Sequence, residues 1–184
     1  MTMTTARFAV LAAAAFSISL PLAAANQPAA SHAAGSTSEQ VLMAQVRSAL
    51  LKLPYYGVFD NLNFQVNGGA ITLSGDVTRP WLKTQAEQAV KGVNGVESVA
   101  SNINVLPLSP FDDRLRAALL NRVYGQTALN KYAHINPPIR IIVANRQVRL
   151  EGVVLNDGDR NIAFIQANGV PGVFHVENNL KLEN

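Results

Sequence analysis

Residues 71–77 read ITLSGDV, and residues 148–154 read VRLEGVV. The same separation of 77 residues relates GVNGVESVASN (92–102) to GVPGVFHVENN (169–179). Aligned at this offset, residues 62–105 and 139–182 share eleven identities over 44 positions without a gap. The chain therefore contains an internal repeat, which is typical of a protein built from copies of one supersecondary unit.

The repeat continues towards the N-terminus with a shorter offset. VRSALL (46–51) matches LRAALL (115–120) at 69 residues, so the second copy has eight more residues between its first helix and first strand. We divide this part of the chain into unit one, residues 39–105, and unit two, residues 110–184. The long connection 125–138 of unit two is predicted to be an ordered loop with a role of its own.

Hydrophobic spacing predicts the order α-β-β-α-β in each unit. In unit one, a capping box at Ser36 and Glu39 precedes an apolar helical stripe, and Pro80 opens the second helix. In unit two, Ser109 caps the first helix and Pro110 opens it. The stripe of this helix is formed by Phe111, Leu115, Ala118 and Leu119.

This order predicts an α+β fold. The second strand, the second helix and the last strand form a right-handed β-α-β crossover, which makes these two strands parallel. Each unit is then a three-stranded mixed sheet with both helices on one face. The other face stays partly open, where the two units could pack together or a partner could bind.

Six glycines in the repeated motifs are interpreted as structural. We expect a helix to pack across Gly75 and Gly152, where a Cβ atom would collide. The two G-x-x-G segments join a helix to a strand, which favours a helix end and a tight entry into the strand. A KH-type G-x-x-G loop, which clamps nucleic acid, instead joins two helices. The remaining four structural glycines are Gly92, Gly95, Gly169 and Gly172.

The N-terminal 25 residues are typical of a secretory signal. Arg7 is followed by an apolar stretch and by the small residues Ala23, Ala24 and Ala25, and we expect cleavage after Ala25. The alternative is a retained membrane anchor. Residues 26–38 are predicted to form a disordered tail. The signal therefore predicts that the protein is exported.

The chain has no cysteine, which excludes disulfides, thiolate metal sites, cysteine nucleophiles and a lipid anchor of the lipobox type. His32, His134 and His175 lack metal-ligand spacing. Asp157 and Asp159 flank a glycine, but a turn and helix cap explain them better than a calcium loop. Asp112 and Asp113 suit a helix N-terminus better than an acid-base pair. No catalytic residue, metal or cofactor is predicted, and we interpret the protein as a non-enzyme.

Positive charge is concentrated in unit two. Outside Arg7, basic side chains exceed the 12 acidic ones by only two, so a nucleic-acid partner is not expected. Arg114, Arg116 and Arg122 lie on one helix and are candidate contacts for anionic phospholipid. A solvated helix face is the alternative. A second group, Arg140, Arg146 and Arg149, lies about the hairpin of unit two.

The repeated motifs resemble the BON domain. The pattern V-x-L-x-G-x-V, an alanine-bearing helix, G-V-x-x-V and V-x-N-x-(I/L)-x-V appear here as ITLSGDV, KGVNGVESV and VASNINV, and again as VRLEGVV, NGVPGVFHV and VENNLKL. Pro171 inside the second G-x-x-G and the eight-residue insertion depart from the pattern. A signal peptide followed by two such units resembles the OsmY-type periplasmic proteins.

The resemblance implies envelope association, phospholipid binding and protection against osmotic stress, without catalysis. It fixes no ligand residues. Two functions stay open: a module that binds a phospholipid surface, and an envelope adaptor that binds proteins in a chaperone-like manner.

Overall fold

The computed structural model describes residues 30–133 and 136–183, with side chains from residue 38 onward. The elements of unit one are α1 (Ala30–Leu51), β1 (Asn61–Asn67), β2 (Ala70–Val77), α2 (Pro80–Lys91) and β3 (Ser98–Val105). Those of unit two are α3 (Pro110–Tyr124), a short 3-10 helix (Asn130–Tyr132), β4 (Ile139–Ala144), β5 (Gln147–Val154), α4 (Asp157–Asn168) and β6 (His175–Leu182). The predicted α-β-β-α-β order is confirmed in both units.

Each unit contains one three-stranded mixed sheet. The strand orders are β1-β2-β3 and β4-β5-β6, and the first pair in each sheet is antiparallel while the second is parallel. The registers correspond between the units, since Gly75 lies between Leu62 and Ile103 while Gly152 lies between Ile139 and Leu180. The α+β class and the mixed sheets are confirmed.

Both helices of a unit pack on one face of its sheet. In unit one, Val46 of α1 and Leu82 of α2 share a core with Leu73 of β2. In unit two, Leu119 of α3 and Ala163 of α4 share a core with the sheet. These side chains are fully buried. Burial of apolar surface on this single sheet face is the main force that holds each unit together.

Helix α1 begins earlier than the sequence predicts. Residues 30–38 are helical, where a disordered tail was expected, and Ser36 therefore lies within the helix instead of capping it. Alanine has the highest helix propensity, and Ala30, Ala33 and Ala34 lie in this segment. The expected signal peptide, 1–25, lies outside the described residues.

Helix α3 buries Leu115 and Leu119 of the predicted stripe, but the rest of its buried face differs from the prediction. Ser109 caps it as expected, with its hydroxyl accepting a hydrogen bond from the amide of Asp112 at 3.2 Å. Ala118 is exposed, whereas Asp112 and Arg116 are buried. The buried face therefore includes two ionic side chains that apolar periodicity assigns to solvent.

The long connection of unit two closes one end of its core. Leu129 and Tyr132 are buried, and the Tyr132 hydroxyl donates to the carboxylate of Asp159 at 2.6 Å. The Asp159 carboxylate also accepts from Lys131 at 2.7 Å. Burial raises the pKa of Asp159, but the hydrogen bonds from Lys131 and Tyr132 outweigh it, so this pKa lies below its usual value. The described residues of the connection therefore cover one end of the core and are held in place by the contacts with Asp159.

The loop between α1 and β1 joins the two units. The amide of Ile141 donates to the carbonyl of Val58 at 2.8 Å, on the outer edge of β4. Arg140 donates to the carbonyl of Gly57 at 2.8 Å, and its guanidinium lies 4.5 Å from the centre of the Tyr56 ring. Contact between the units covers an edge strand that would otherwise present unpaired backbone groups.

The second face of the unit-two sheet is partly covered as well. Ile142 points away from the core of its own unit but is only 1% exposed. Its strand neighbour Arg149 forms an ion pair with Asp76 of unit one. The face that the sequence left open is therefore used, in part, for packing between the two units.

Candidate functional site

Three segments meet at one end of each unit, which we call its tip. Tip two consists of the start of α3 (Phe111–Arg114), the β4–β5 turn (Asn145 and Arg146) and the loop before β6 (Gly172–Phe174). Tip one consists of residues 38–42 of α1, Gly68 and Gly69, and residues 95–97. The turn and the loop align with those of tip two, whereas Phe111–Arg114 align with residues 42–45, so the helical part of tip one lies slightly earlier along its helix. In both tips one backbone hydrogen bond joins loop to turn: Phe174 donates to Arg146 at 2.9 Å, and Glu97 donates to Gly69 at 2.8 Å.

The turn of tip two is held by a buried carboxylate. Asn145 and Arg146 have φ angles of 52° and 64°, which match the left-handed conformation of a two-residue hairpin turn. The Asp112 carboxylate accepts hydrogen bonds from the amides of Asn145 and Arg146, at 2.9 and 3.0 Å. Asp112 therefore fixes the turn against the start of α3, which gives this buried carboxylate a structural role.

The turn places a guanidinium between two aromatic rings. Arg146 lies 4.2 Å from the ring centre of Phe111 and 4.8 Å from that of Phe174, and Arg114 lies 5.3 Å from Phe111. Phe174 is 72% exposed. Within the described part of the chain, neither arginine forms an ion pair. Tip two is thus an exposed apolar and cationic surface.

The three arginines predicted as lipid contacts do not form one surface. Arg114 lies in tip two, but Arg122 is in the last turn of α3, eight residues or about 12 Å further along the helix. Arg116 is 6% exposed; it donates to the carbonyl of Val143 at 2.6 Å and pairs with Asp113 at 2.6 Å. Arg116 is correctly placed on the helix by the sequence, but its side chain is inside the unit and cannot reach a membrane.

The arginines about the hairpin are also separated. Arg140 and Arg149 contact unit one, as described above, and only Arg146 belongs to the tip. Neither Phe111 nor Phe174 was predicted to be a surface residue. The alignment of the two repeats could have indicated these surface positions. Phe174 aligns with the charged residue Glu97, and Arg146 aligns with Gly69 in a turn.

Gly75 and Gly152 are required by the strands and not by a crossing helix. Their φ angles are +123° and +115°, and a Cβ atom would lie 2.0 Å from the carbonyl oxygen of Asn61 or 1.8 Å from that of Pro138. The expected collision is thus with the neighbouring edge of the sheet. The helical explanation was wrong, because the atoms nearest to such a Cβ belong to the backbone of residues 61–62 or 138–139 and not to a helix.

The G-x-x-G glycines divide into two kinds. Gly92 and Gly169 end their helices with ordinary helical φ angles of −80° and −81°. Gly95 and Gly172 have φ angles of +90° and +95°, which glycine adopts readily. A Cβ at Gly172 would contact the Phe111 ring at 3.4 Å, so this glycine lets the loop approach the start of α3 closely.

The acidic turn before α4 is a helix cap. Asn156 accepts from the amide of Asp159 at 2.8 Å, and Asp157 lies in the first turn of α4. Among the described residues no group of histidines and carboxylates has the geometry of a metal site. In the same part of the chain, no helix has the length and apolarity needed to span a bilayer.

Tip one presents a different surface on the same framework. An open pocket of about 1020 Å³ lies between α1 and the two loops, where Gly68, Gly69 and Gly95 leave room. Val41, which is 52% exposed, and Leu42 form its apolar wall, and Glu39 and Glu97 are its charged residues. Tip one is therefore acidic and concave, whereas tip two is basic and carries a projecting ring.

Comparison with known proteins identifies the repeated unit. The family model of the BON domain matches residues 38–107 and 114–184. A search of curated protein sequences found no relative. Two solved structures are distantly similar to this chain. The first is a structure of CdsD, a structural protein of the type III secretion system of Chlamydia trachomatis. It is 13% identical in sequence, with a TM-score of 0.32, and the match covers 78% of this chain and 92% of that one. The C-terminal domain of CdsD gives 14% identity and a TM-score of 0.29, covering 78% and 98%.

BON domains are known in periplasmic and envelope proteins, and the family is non-catalytic in general. The two matches cover most of the chain and coincide with the two structural units. The chain belongs to the BON domain family and carries two BON domains in tandem.

Proposed function

We propose that this protein is a non-enzymatic periplasmic protein that binds anionic phospholipid surfaces through tip two. The observation that carries the proposal is the stacked cluster of Phe111, Arg146 and Phe174, with Arg114 beside it. Aromatic rings and arginines together suit the membrane interface, where a ring enters the acyl boundary and guanidiniums meet phosphates. Each cation near an anionic surface contributes about 1 kcal/mol.

The geometry of the tip supports surface binding over a small-molecule site. Phe174 projects from the loop with most of its surface exposed, so it can enter a bilayer without rearrangement of the core. The guanidinium of Arg146 is already stacked on both rings, so little side-chain entropy is lost when it contacts a phosphate.

Liposome co-sedimentation tests this proposal. The variant Arg114→Gln/Arg146→Gln/Phe174→Ser should bind anionic vesicles at least tenfold more weakly than the parent at low salt. The difference should shrink at high salt, because exposed charges are screened. A matched control, Arg122→Gln/Arg160→Gln/Phe164→Ser, removes the same residue types from other parts of unit two and should bind like the parent. Equal binding by the tip variant and the parent would overturn the proposal.

Export and stress protection complete the proposal. The N-terminal sequence and the family support cleavage after Ala25 and a role in the envelope under osmotic stress. The intact mass of the exported protein should correspond to a start at Asn26; a mass that retains Met1 would favour the membrane anchor. Cells that lack the protein should survive osmotic shock less well, and survival equal to that of the parent strain would contradict the stress role.

A protein-binding adaptor is the second candidate. A groove of about 490 Å³ runs between the units and includes the apolar side chains of Leu51, Leu62 and Phe64. If the parent protein fails to sediment with anionic vesicles at any salt concentration, this groove becomes the favoured functional surface. Crosslinking from Asn63→Cys to envelope proteins, compared with Asn161→Cys on α4, would then test it, and equal yields from both positions would reject it.

A further inference from the structure

The two tips of the molecule are complementary in charge and shape. Glu39 and Glu97 of tip one form no ion pair within the described residues, and the residues that line the tip-one pocket include no cation. Arg114 and Arg146 of tip two are the matching unpaired cations. Phe174 is a projecting ring, and Val41 is an exposed apolar wall.

This complementarity is not satisfied within one chain. The described residues that line the pocket lie in α1 and in two loops of unit one, so no described residue of tip two enters it. Among the described residues, the guanidiniums of Arg114 and Arg146 stack only on rings of tip two itself, those of Phe111 and Phe174. Each molecule therefore has one basic, convex end surface and one acidic, concave end surface.

We propose that tip two of one copy docks into the tip-one pocket of a second copy. The Phe174 ring then packs on Val41 and Leu42, while Arg114 and Arg146 pair with Glu39 and Glu97. An aromatic side chain buries about 200 Å² in such a contact, and a pocket of about 1020 Å³ accommodates it without a change in the core.

The contact is heterologous, since two different surfaces meet, and each added copy leaves one free tip at either end. Such an interface grows into open assemblies unless the rotation closes a ring. The inference goes beyond the proposed function, because self-association needs no lipid. It also predicts competition, since a tip docked in a pocket is not available to a membrane.

Complementation between two blocked variants tests the contact. Arg146→Gln/Phe174→Ser disables the donor tip but keeps the pocket, and Glu39→Lys/Glu97→Lys reverses the pocket charge but keeps the donor tip. In sedimentation velocity without lipid and at low salt, the parent should gain average mass with concentration. Each variant alone should stay monomeric, and a mixture of the two should stop at dimers.

Several results would overturn the proposal: a parent that stays monomeric over the concentration range, variants that still assemble, or a mixture without dimers. The unfolding midpoint of each variant shows whether it is folded, and Glu39→Gln/Glu97→Gln gives a milder form of the pocket change with a smaller loss of association. The variants Phe164→Ser and Glu87→Lys are matched controls and should assemble like the parent. The pocket variants leave tip two intact, so their vesicle binding reports on the proposed function separately.

Discussion

The two BON domains share one backbone plan but differ at their tips, and the differences are coupled. In tip one, Gly68 and Gly69 form the turn, Glu97 follows the loop, and Met43 stands where unit two has Asp112. In tip two, non-glycine residues adopt left-handed angles, and the Asp112 carboxylate holds their amides. A buried anchor thus accompanies the side chain, Arg146, that gives tip two its charge.

Residues that maintain the fold are shared by the two units, whereas exposed residues at the tips differ between them. Gly75 and Gly152, Gly95 and Gly172, and the core positions are equivalent in both units. The tip residues that reach the surface, such as Arg146 and Phe174, are free to differ because they contribute little to the core. Function should therefore be sensitive to changes at the tips, and stability to changes at the shared glycines.

The largest loss of stability is expected at a shared glycine. Gly75→Val combines a close approach to the Asn61 carbonyl with a φ angle that valine rarely adopts, and should lower the free energy of unfolding by about 3 kcal/mol or more. Gly152→Val should have a similar effect in unit two. Chemical denaturation measures the loss. Gly92→Ala, at a helical φ angle with ordinary contacts, is the control, and a Gly75 variant as stable as this control would disprove the strand-edge explanation.

The next largest effect should distinguish the two turns. Asp112→Ala removes the acceptor of two turn amides, and should cost about 2–3 kcal/mol. The corresponding change in unit one, Met43→Ala, should cost less than about 1 kcal/mol, since Met43 is partly exposed. A double-mutant cycle with Asn145→Gly/Arg146→Gly sharpens the test, because a glycine turn needs less support. Equal costs of Asp112→Ala in both backgrounds would show that the carboxylate does not hold the turn.

A smaller effect concerns the dependence of unit two on pH. The pKa of Asp159 is lower in the folded state than in the unfolded state, because Lys131 and Tyr132 stabilise its ionised form. Its contribution to stability is therefore complete above the unfolded pKa of about 4 and is lost as the pH falls through the lower folded value. Asp159→Asn should flatten this acid limb of the stability profile. Unit one has Leu82 at the aligned position, so Leu82→Ala should lower stability without changing that limb.

The fold could be predicted from the sequence because it depends on local periodicity repeated twice. ITLSGDV and VRLEGVV fix the central strands, and Pro80, Ser109 and Pro110 fix two helix starts. The tip could not be predicted in the same way. Arg116 looks exposed in the sequence, but it is buried because the carbonyl of Val143, 27 residues away, accepts its hydrogen bond.

Phe174 is the opposite case, an apolar residue that is exposed although its type predicts burial. An apolar residue beside a strand is usually assigned to a core, and only the alignment with Glu97 indicates that this position faces solvent. Arg140 and Arg149 were separated from Arg146 by contacts between units, which a single repeat pattern does not contain. Long-range contacts of ionic side chains determine which of them are exposed, and such contacts cannot be predicted from local sequence patterns.

Tryptophan fluorescence tests most directly whether tip two, and not tip one, contacts the membrane. The chain has one tryptophan, Trp81, in unit one, so Trp81→Phe provides a background without tryptophan. In this background, Phe174→Trp places the only indole in tip two, and Glu97→Trp places it at the equivalent position of tip one. With anionic vesicles, the tip-two indole should shift its emission to shorter wavelength and be quenched by lipid-borne quenchers, while the tip-one indole should do neither. Equal shifts at both tips, or a shift at tip one alone, would contradict the account.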